Sequence, residues 1–234
     1  MQTTNTEKRE NPLYNLAFNI IAPAIILSKF CGDEYLGPFY GLLIALLFPV
    51  SYGLFELLVK GRKNFISLLG FFSTLLTGVI GLMEFPAEWI AIKEAFIPFV
   101  IGVIVLISTW SPFPLVRKLL YNKEVFQVER IDSILDSLDR RPAFDRLMTN
   151  ASIFLSLSFF VSAILNFVLA KIIVKSQPGT TAFTEELGQM TWMSYPVIVL
   201  PSMIIMLAIL WHLITTIQKL TNLERKEIFA IQTE

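Results

Sequence analysis

The stretch 89–122, WIAIKEAFIPFVIGVIVLISTWSPFPLVRKLLYN, sets the conditions under which this chain can fold. A charged doublet, Lys93 and Glu94, opens it, residues 95–113 carry no charge, and the basic pair Arg117 and Lys118 closes it. An apolar run of about 18 residues or more is long enough to cross a bilayer as a helix. Comparable runs recur along the chain and predict six spans, at about 11–28, 37–59, 65–83, 95–113, 147–170 and 193–217. The expected fold class is therefore all-α, a polytopic membrane helix bundle with six transmembrane helices.

Composition agrees. Apolar residues make up 54% of the chain and charged residues 16%, against roughly 25% charged in a soluble domain. A net charge of zero argues against nucleic acid, which favours a basic face. The single cysteine, Cys31, has no partner for an internal disulfide and reads as a small apolar filler at a helix end. One Cys and one His leave too few ligands for a zinc site. There is no HExxH motif, Walker-type glycine loop or GxSxG elbow. No enzyme, metal or cofactor is expected.

Residues 1–10 read as a polar tail with Lys8 and Arg9, and no secretory signal is expected, because the run that follows is longer than a signal's apolar region, holds three asparagines and lacks a small-x-small cleavage site. Asn11 and Pro12 then read as an N-cap with proline at the first helical position. Asn11, Asn15 and Asn19 recur every fourth residue and share one helix face. Pro23, Pro49, Pro98 and Pro201 fall inside spans and are expected to kink them. Gly70, Thr74 and Gly78 make a small-residue stripe that admits a close helix neighbour. Between 117 and 146 the chain is charged. Val128, Ile131, Ile134, Leu135 and Leu138 follow helical spacing with acids between them, an amphipathic helix ended by Arg140, Arg141 and Pro142. A loop is expected from 171 to 189, with a turn at Pro178 and Gly179. The tail 218–234 is expected to continue the last helix.

Placing both termini in the cytoplasm leaves only Lys29, Lys93, Lys171 and Lys175 of the basic residues outside, the direction that the positive-inside rule requires. Tyr14, Tyr52, Trp110, Tyr121 and Trp211 then fall near inner ends, and Tyr35, Tyr40, Trp89, Trp192 and Tyr195 near outer ends, as an aromatic belt would. The 117–146 insert, its amphipathic helix included, becomes cytoplasmic.

From Phe65 to about Leu207 the order of features resembles the bacterial intracellular septation protein A family, also called inner membrane-spanning proteins, and a related set of bacterial membrane proteins. The acidic loop before Trp89 and Lys93, the exit PLVRKLL at 114–120, and NFVLA at 166–170 carry the likeness. Residues 122–146, longer than the corresponding loop, and the first span depart from it. The resemblance implies a multi-pass protein of the bacterial inner (cytoplasmic) membrane tied to envelope maintenance and division, with no established reaction.

Ionisable groups within a span are costly and are functional candidates by default. Glu56 lies about one turn from the cytoplasmic end of span two, within i+4 reach of Lys60. His212 lies at similar depth in span six, and Asn15 and Asn19 reach the same third from span one. These four read either as separate interface and interhelical contacts or as one cytoplasm-facing polar cavity. Lys93 reads as an interfacial anchor or as an outer-face contact for an anionic headgroup or substrate phosphate. The resemblance favours a scaffold or assembly factor of the cell envelope or of division, docking partner proteins through 122–146; the alternative is a small transporter or lipid-handling protein with a cytoplasm-facing polar cavity. Membrane lipids are partners in both.

Overall fold

A computed structural model describes residues 20–32, 34–59, 65–111 and 114–230, with the side chains of 56–59 and 65–71 outside the description. The elements are helical: α1 (Ala22–Lys29), α2 (Gly37–Val59), α3 (Phe65–Leu82), α4 (Glu88–Ser108), α5 (Leu115–Leu120), α6 (Val128–Ser137), α7 (Arg141–Ile173), α8 (Thr181–Ser194), a π-helical turn (Tyr195–Val199), α9 (Leu200–Thr221) and α10 (Arg225–Ile228). Among the described residues, four stretches are long and apolar enough to cross a membrane: Gly37–Phe55, Glu88–Ser108, Arg141–Ile173 and Thr181–Thr221. The chain is accordingly a multi-pass membrane protein. Phe96, Ile107, Phe154, Ile164 and Leu207 stand exposed on these helices, a distribution that suits hydrocarbon and would be a liability in water.

The chain divides into two compact units. The first holds the described residues up to Glu94 together with Asn166–Tyr195. Its core joins Leu27 and Cys31 to Leu42 and Ala45 of α2, Ile80 of α3, Ile90 and Ala91 of α4, and Phe183 and Leu187 of α8. Cys31 is 1% exposed and fills the space beside Gly41, as its size suggests. Two close approaches use glycine. Gly78 of the expected stripe faces Leu46, where an added Cβ would lie 2.9 Å from Cδ1. Gly188 of α8 meets α1, where a Cβ would lie 3.1 Å from the Ser28 amide nitrogen and 3.3 Å from the Ala24 carbonyl. Gly70 lies outside the described side chains.

Helix α8 corrects the expected loop at 171–189. α7 runs on to Ile173, and only 174–180 separate it from α8. Gly179, at φ +84°, turns the chain. Thr180 then caps α8, its Oγ1 accepting from the Phe183 amide at 3.2 Å. The Glu186 carboxylate accepts from the Lys175 and Ser176 amides, both at 2.9 Å, and ties the loop back to α8.

The second unit holds Ala95–Leu165 and Pro196–Glu234. Arg140, Arg141 and Pro142 do not simply end the amphipathic helix. α6 stops at Ser137, Asp139 takes φ 52°, and Pro142 sits in the first turn of α7. Proline is favoured there because its missing N–H would be unpaired anyway, so the fifth apolar helix begins at Arg141 and not near Leu147. The tail is also corrected. α9 ends at Thr221 with Asn222 left-handed at φ 59°. The chain then turns back through α10, whose capping box pairs Glu224 with Glu227, to an antiparallel bridge between Phe229 and Phe126.

The α1–α8 contact supplies a test. Gly188→Leu drives a side chain into the Ser28 hydroxyl and the Ser28 and Ala24 backbone behind it, and should cost roughly 1–3 kcal/mol as overpacking. Gly32→Ala is the control, since its nearest neighbour, Tyr35 Cδ2, is 3.8 Å away. Thermal unfolding of the detergent-solubilised protein should show a lower midpoint for the first variant and an unchanged one for the second.

Candidate functional site: a buried lysine in a polar cavity of the first unit

Lys93 is the sixth residue of α4 and only 8% exposed. The expectation placed it at the mouth of its span. In the fold its ammonium is buried among three partners. Nζ donates to Thr77 Oγ1 at 2.8 Å and to Ser73 Oγ at 3.3 Å, and pairs with Glu94 Oε1 at 2.6 Å. A lysine ammonium has three donors, so this set satisfies it. Ser73 and Thr77 are one turn apart on α3 and present one face to α4. Thr77 passes its own proton back to the Ser73 carbonyl at 3.1 Å, which leaves its oxygen free to accept from Lys93.

The group borders a cavity of about 190 Å³. Thr74 and Thr191 add hydroxyl groups to its wall, and Leu27, Leu42, Leu46, Leu187 and Met190 add apolar surface. Pro23 and Pro49 line it too. Proline has no N–H, so Pro49 cannot donate to the carbonyl of Ala45, another lining residue. Inside a bilayer such an interruption is tolerated where the backbone borders a cavity or finds hydroxyl groups. An isolated ammonium buried in apolar surroundings is strongly unfavourable. Here one carboxylate and two hydroxyls offset that cost, while the side chain of Glu94 keeps 26% of its surface open. The arrangement can hold a small polar molecule against a fixed pair of opposite charges.

The other sequence-level candidates fare differently. Asn15 and Asn19 lie outside the described residues, and Glu56 has its backbone in α2 but its side chain outside the description. His212 stands exposed on α9 in the second unit, at the edge of an apolar groove of about 520 Å³ between α7 and α9. Phe154, Leu157 and Ile204 line that groove. Pro98 is inside α4, and Pro201 opens α9 directly after the π-helical turn. The residues that sequence reasoning missed are Ser73, Thr77 and Thr191. Two hydroxyls at four-residue spacing in an otherwise apolar helix were the available sign.

The 117–146 insert packs within the second unit. Phe126, Ile131, Leu135 and Phe144 are fully buried with Leu213, Ile217 and Ile228. The C-terminal segment clamps it: the Gln127 amide donates to the Ile228 carbonyl at 2.8 Å, and the Ala230 amide to the Val125 carbonyl at 2.9 Å. Arg130 and Glu227 pair at 2.8 Å. The Arg140 guanidinium donates to the Lys219 and Leu220 carbonyls at 3.1 and 2.8 Å, closing the end of α9. Tyr121, 5% exposed, donates to Asp132 Oδ1 at 3.2 Å, and Asp132 also accepts from Arg141 at 2.7 Å. Burial first, then the neighbouring Asp132 charge and hydrogen bond, push the Tyr121 phenol well above its ordinary range, against the opposing pull of Arg141 and Arg117.

Two outcomes follow. Lys93→Met strands the Glu94 carboxylate and should cost roughly 2–4 kcal/mol, somewhat below the value for a fully buried pair because Glu94 is partly open. Adding Glu94→Gln should recover part of the loss, with a coupling above about 1 kcal/mol in a thermal-unfolding double-mutant cycle; simple additivity would contradict the pairing. For Tyr121 the sign runs toward alkali. The folded state keeps the phenol proton that the unfolded chain releases near pH 10, so stability is full below that pH and falls as pH rises through it. Tyr121→Phe should cost about 1.5–3 kcal/mol below pH 10, the worth of one hydrogen bond to a carboxylate, and should flatten the alkaline slope. Melting curves for the two proteins that stay parallel from pH 8 to 11 would refute the assignment.

No protein-family model, curated protein or solved structure matches this chain.

Proposed function

We propose that the chain is a six-span protein of the bacterial inner membrane, with both termini in the cytoplasm, that binds a small polar ligand inside the bilayer as a transporter or lipid-handling protein does. The observation that carries this reading is the Lys93–Glu94 pair, a charged side chain 8% exposed within a span yet bordering a cavity with hydroxyls on its wall. A charge kept at such a place is costly and is by default a functional candidate. The positive-inside pattern supports the six-span orientation, and under it Lys93 lies in the outer half of the bilayer. The resemblance to septation protein A supplies the cell envelope as the setting. The site is then different from the cytoplasm-facing cluster that Asn15, Asn19, Glu56 and His212 suggested.

A scaffold role is the second reading, and one observation favours a particular form of it. The apolar face of α6 is already covered by α9, α7 and the C-terminal segment. What the insert presents outward is charged and mixed in sign, with Lys123, Glu124, Glu129, Arg130 and Asp136 exposed, so a docked partner would be recognised through charge.

Complementation of cells lacking the gene separates the two. Lys93→Met with Glu94→Gln removes both charges without stranding either, so it should accumulate at near wild-type abundance and fail to complement. Glu124→Lys with Asp136→Lys should complement fully. The opposite pattern, with partners lost from a crosslinking pull-down only in the insert variant, would refute ligand handling and establish the scaffold.

A further inference from the structure

The cavity of the first unit holds one cation and one anion side by side, and that pairing narrows what can bind. Lys93 Nζ has its three donors engaged, one by Glu94 at 2.6 Å. A simple anion that took the place of Glu94 on the ammonium would leave the Glu94 carboxylate without its partner. A simple cation that took Glu94 would strand Lys93. Removing one member of a desolvated pair is the expensive step in both cases. A molecule carrying both charges exchanges one ion pair for two and strands nothing.

We infer that this cavity takes a small zwitterion, with its carboxylate or phosphate on Lys93 and Ser73 and its ammonium on Glu94. The inference rests on the reading of the cavity as a ligand site and names the class of ligand. The volume fits. About 190 Å³ against about 30 Å³ for a water in the liquid gives room for roughly six water-sized groups, the scale of an amino acid or a phosphoethanolamine group. The apolar part of such a molecule has Leu42, Leu46 and Leu187 to lie against. The hydroxyl of Thr191, on the same wall, is a further acceptor for the ammonium. A free amino acid and the headgroup of a zwitterionic lipid share this chemistry.

The test compares whole zwitterions with their halves on the full chain. Binding is followed by equilibrium dialysis and by the rise in unfolding temperature, which ligand binding to the folded state must produce. The soluble probes are L-alanine, L-leucine and phosphoethanolamine, set against acetate, inorganic phosphate and methylammonium. The lipid arm compares nanodiscs of phosphatidylethanolamine with nanodiscs of phosphatidylglycerol. At least one zwitterion should bind tenfold or more tightly than any half-molecule, and Glu94→Gln and Lys93→Met should each weaken it tenfold or more. Stabilisation by soluble zwitterions identifies a free solute, and stabilisation confined to phosphatidylethanolamine identifies a headgroup; each supports the inference. Acetate, phosphate or methylammonium binding the wild type as tightly as the zwitterions would overturn the inference while leaving a ligand site in place. Absence of binding by every probe, soluble or lipid, would overturn the ligand site itself. The comparison on the wild-type protein needs no variant to fold.

Discussion

The first unit depends on how it accommodates one ammonium group. Lys93 sits in a helix that is apolar over most of its length, and an uncompensated charge there would favour unfolding or withdrawal to the surface. The chain answers with Glu94 next in sequence and with two hydroxyls, one turn apart on α3, aimed at the same nitrogen. That solution fixes more than a pair. It sets the rotation of α3 against α4, because Ser73 and Thr77 must face Lys93 for the donors to be met. Small residues let the neighbouring helices close around it, Gly78 against Leu46 of α2 and Gly188 against Ser28 of α1. The polar cavity is what remains where the helices cannot close fully, beside the charged pair and the two proline positions of α1 and α2.

The second unit is organised by a different balance. An insert with as many charges as this one could lie free in solvent, yet its apolar spacing draws Phe126, Ile131, Leu135 and Phe144 into a core with the end of α9. Aromatic contacts add geometry to that burial: Tyr121 packs edge-on to Phe144 at 4.9 Å, and Phe126 stacks with Phe229 at 5.7 Å. The guanidinium groups of Arg117 and Arg141 approach the Phe144 ring at 5.6 and 5.9 Å. The C-terminal segment completes the packing and occupies the backbone of Val125 and Gln127. Any partner of this surface therefore meets a finished, charged exterior.

The membrane character was legible because it depends on run length and composition alone. Four described helices meet the requirement, and their exposed phenylalanines and leucines face outward as lipid contact demands. Helix ends were harder. The π-helical turn at Tyr195–Val199 joins α8 to α9, while the turn at Pro178 and Gly179 made the first of these helices read as part of a loop. Its helical spacing of Phe183, Leu187 and Met190 was nonetheless present. Pro142 was read as a stop when it is a start, because proline marks either side of a boundary and only the cap geometry distinguishes them. The return of the tail rests on Asn222 adopting a left-handed conformation, which sequence allows at many asparagines without requiring it. At the site, Lys93 was visible as an ionisable group at the mouth of a span. Its depth depended on hydroxyls from another helix, a relation that periodicity within one segment does not carry.

The proposed ligand site requires that water reach the cavity beside Lys93 while the exposed apolar helix faces meet lipid. Impermeant-maleimide labelling in intact membrane vesicles of defined sidedness tests it most directly. The native Cys31, 1% exposed, provides the unreactive background. Thr191→Cys, on the cavity wall, should react, and Ile204→Cys, on an outward face 59% exposed in the fold, should not because hydrocarbon covers it. A silent Thr191→Cys in vesicles of both orientations would contradict the cavity, and a reactive Ile204→Cys would contradict the lipid-facing surface on which the whole account stands.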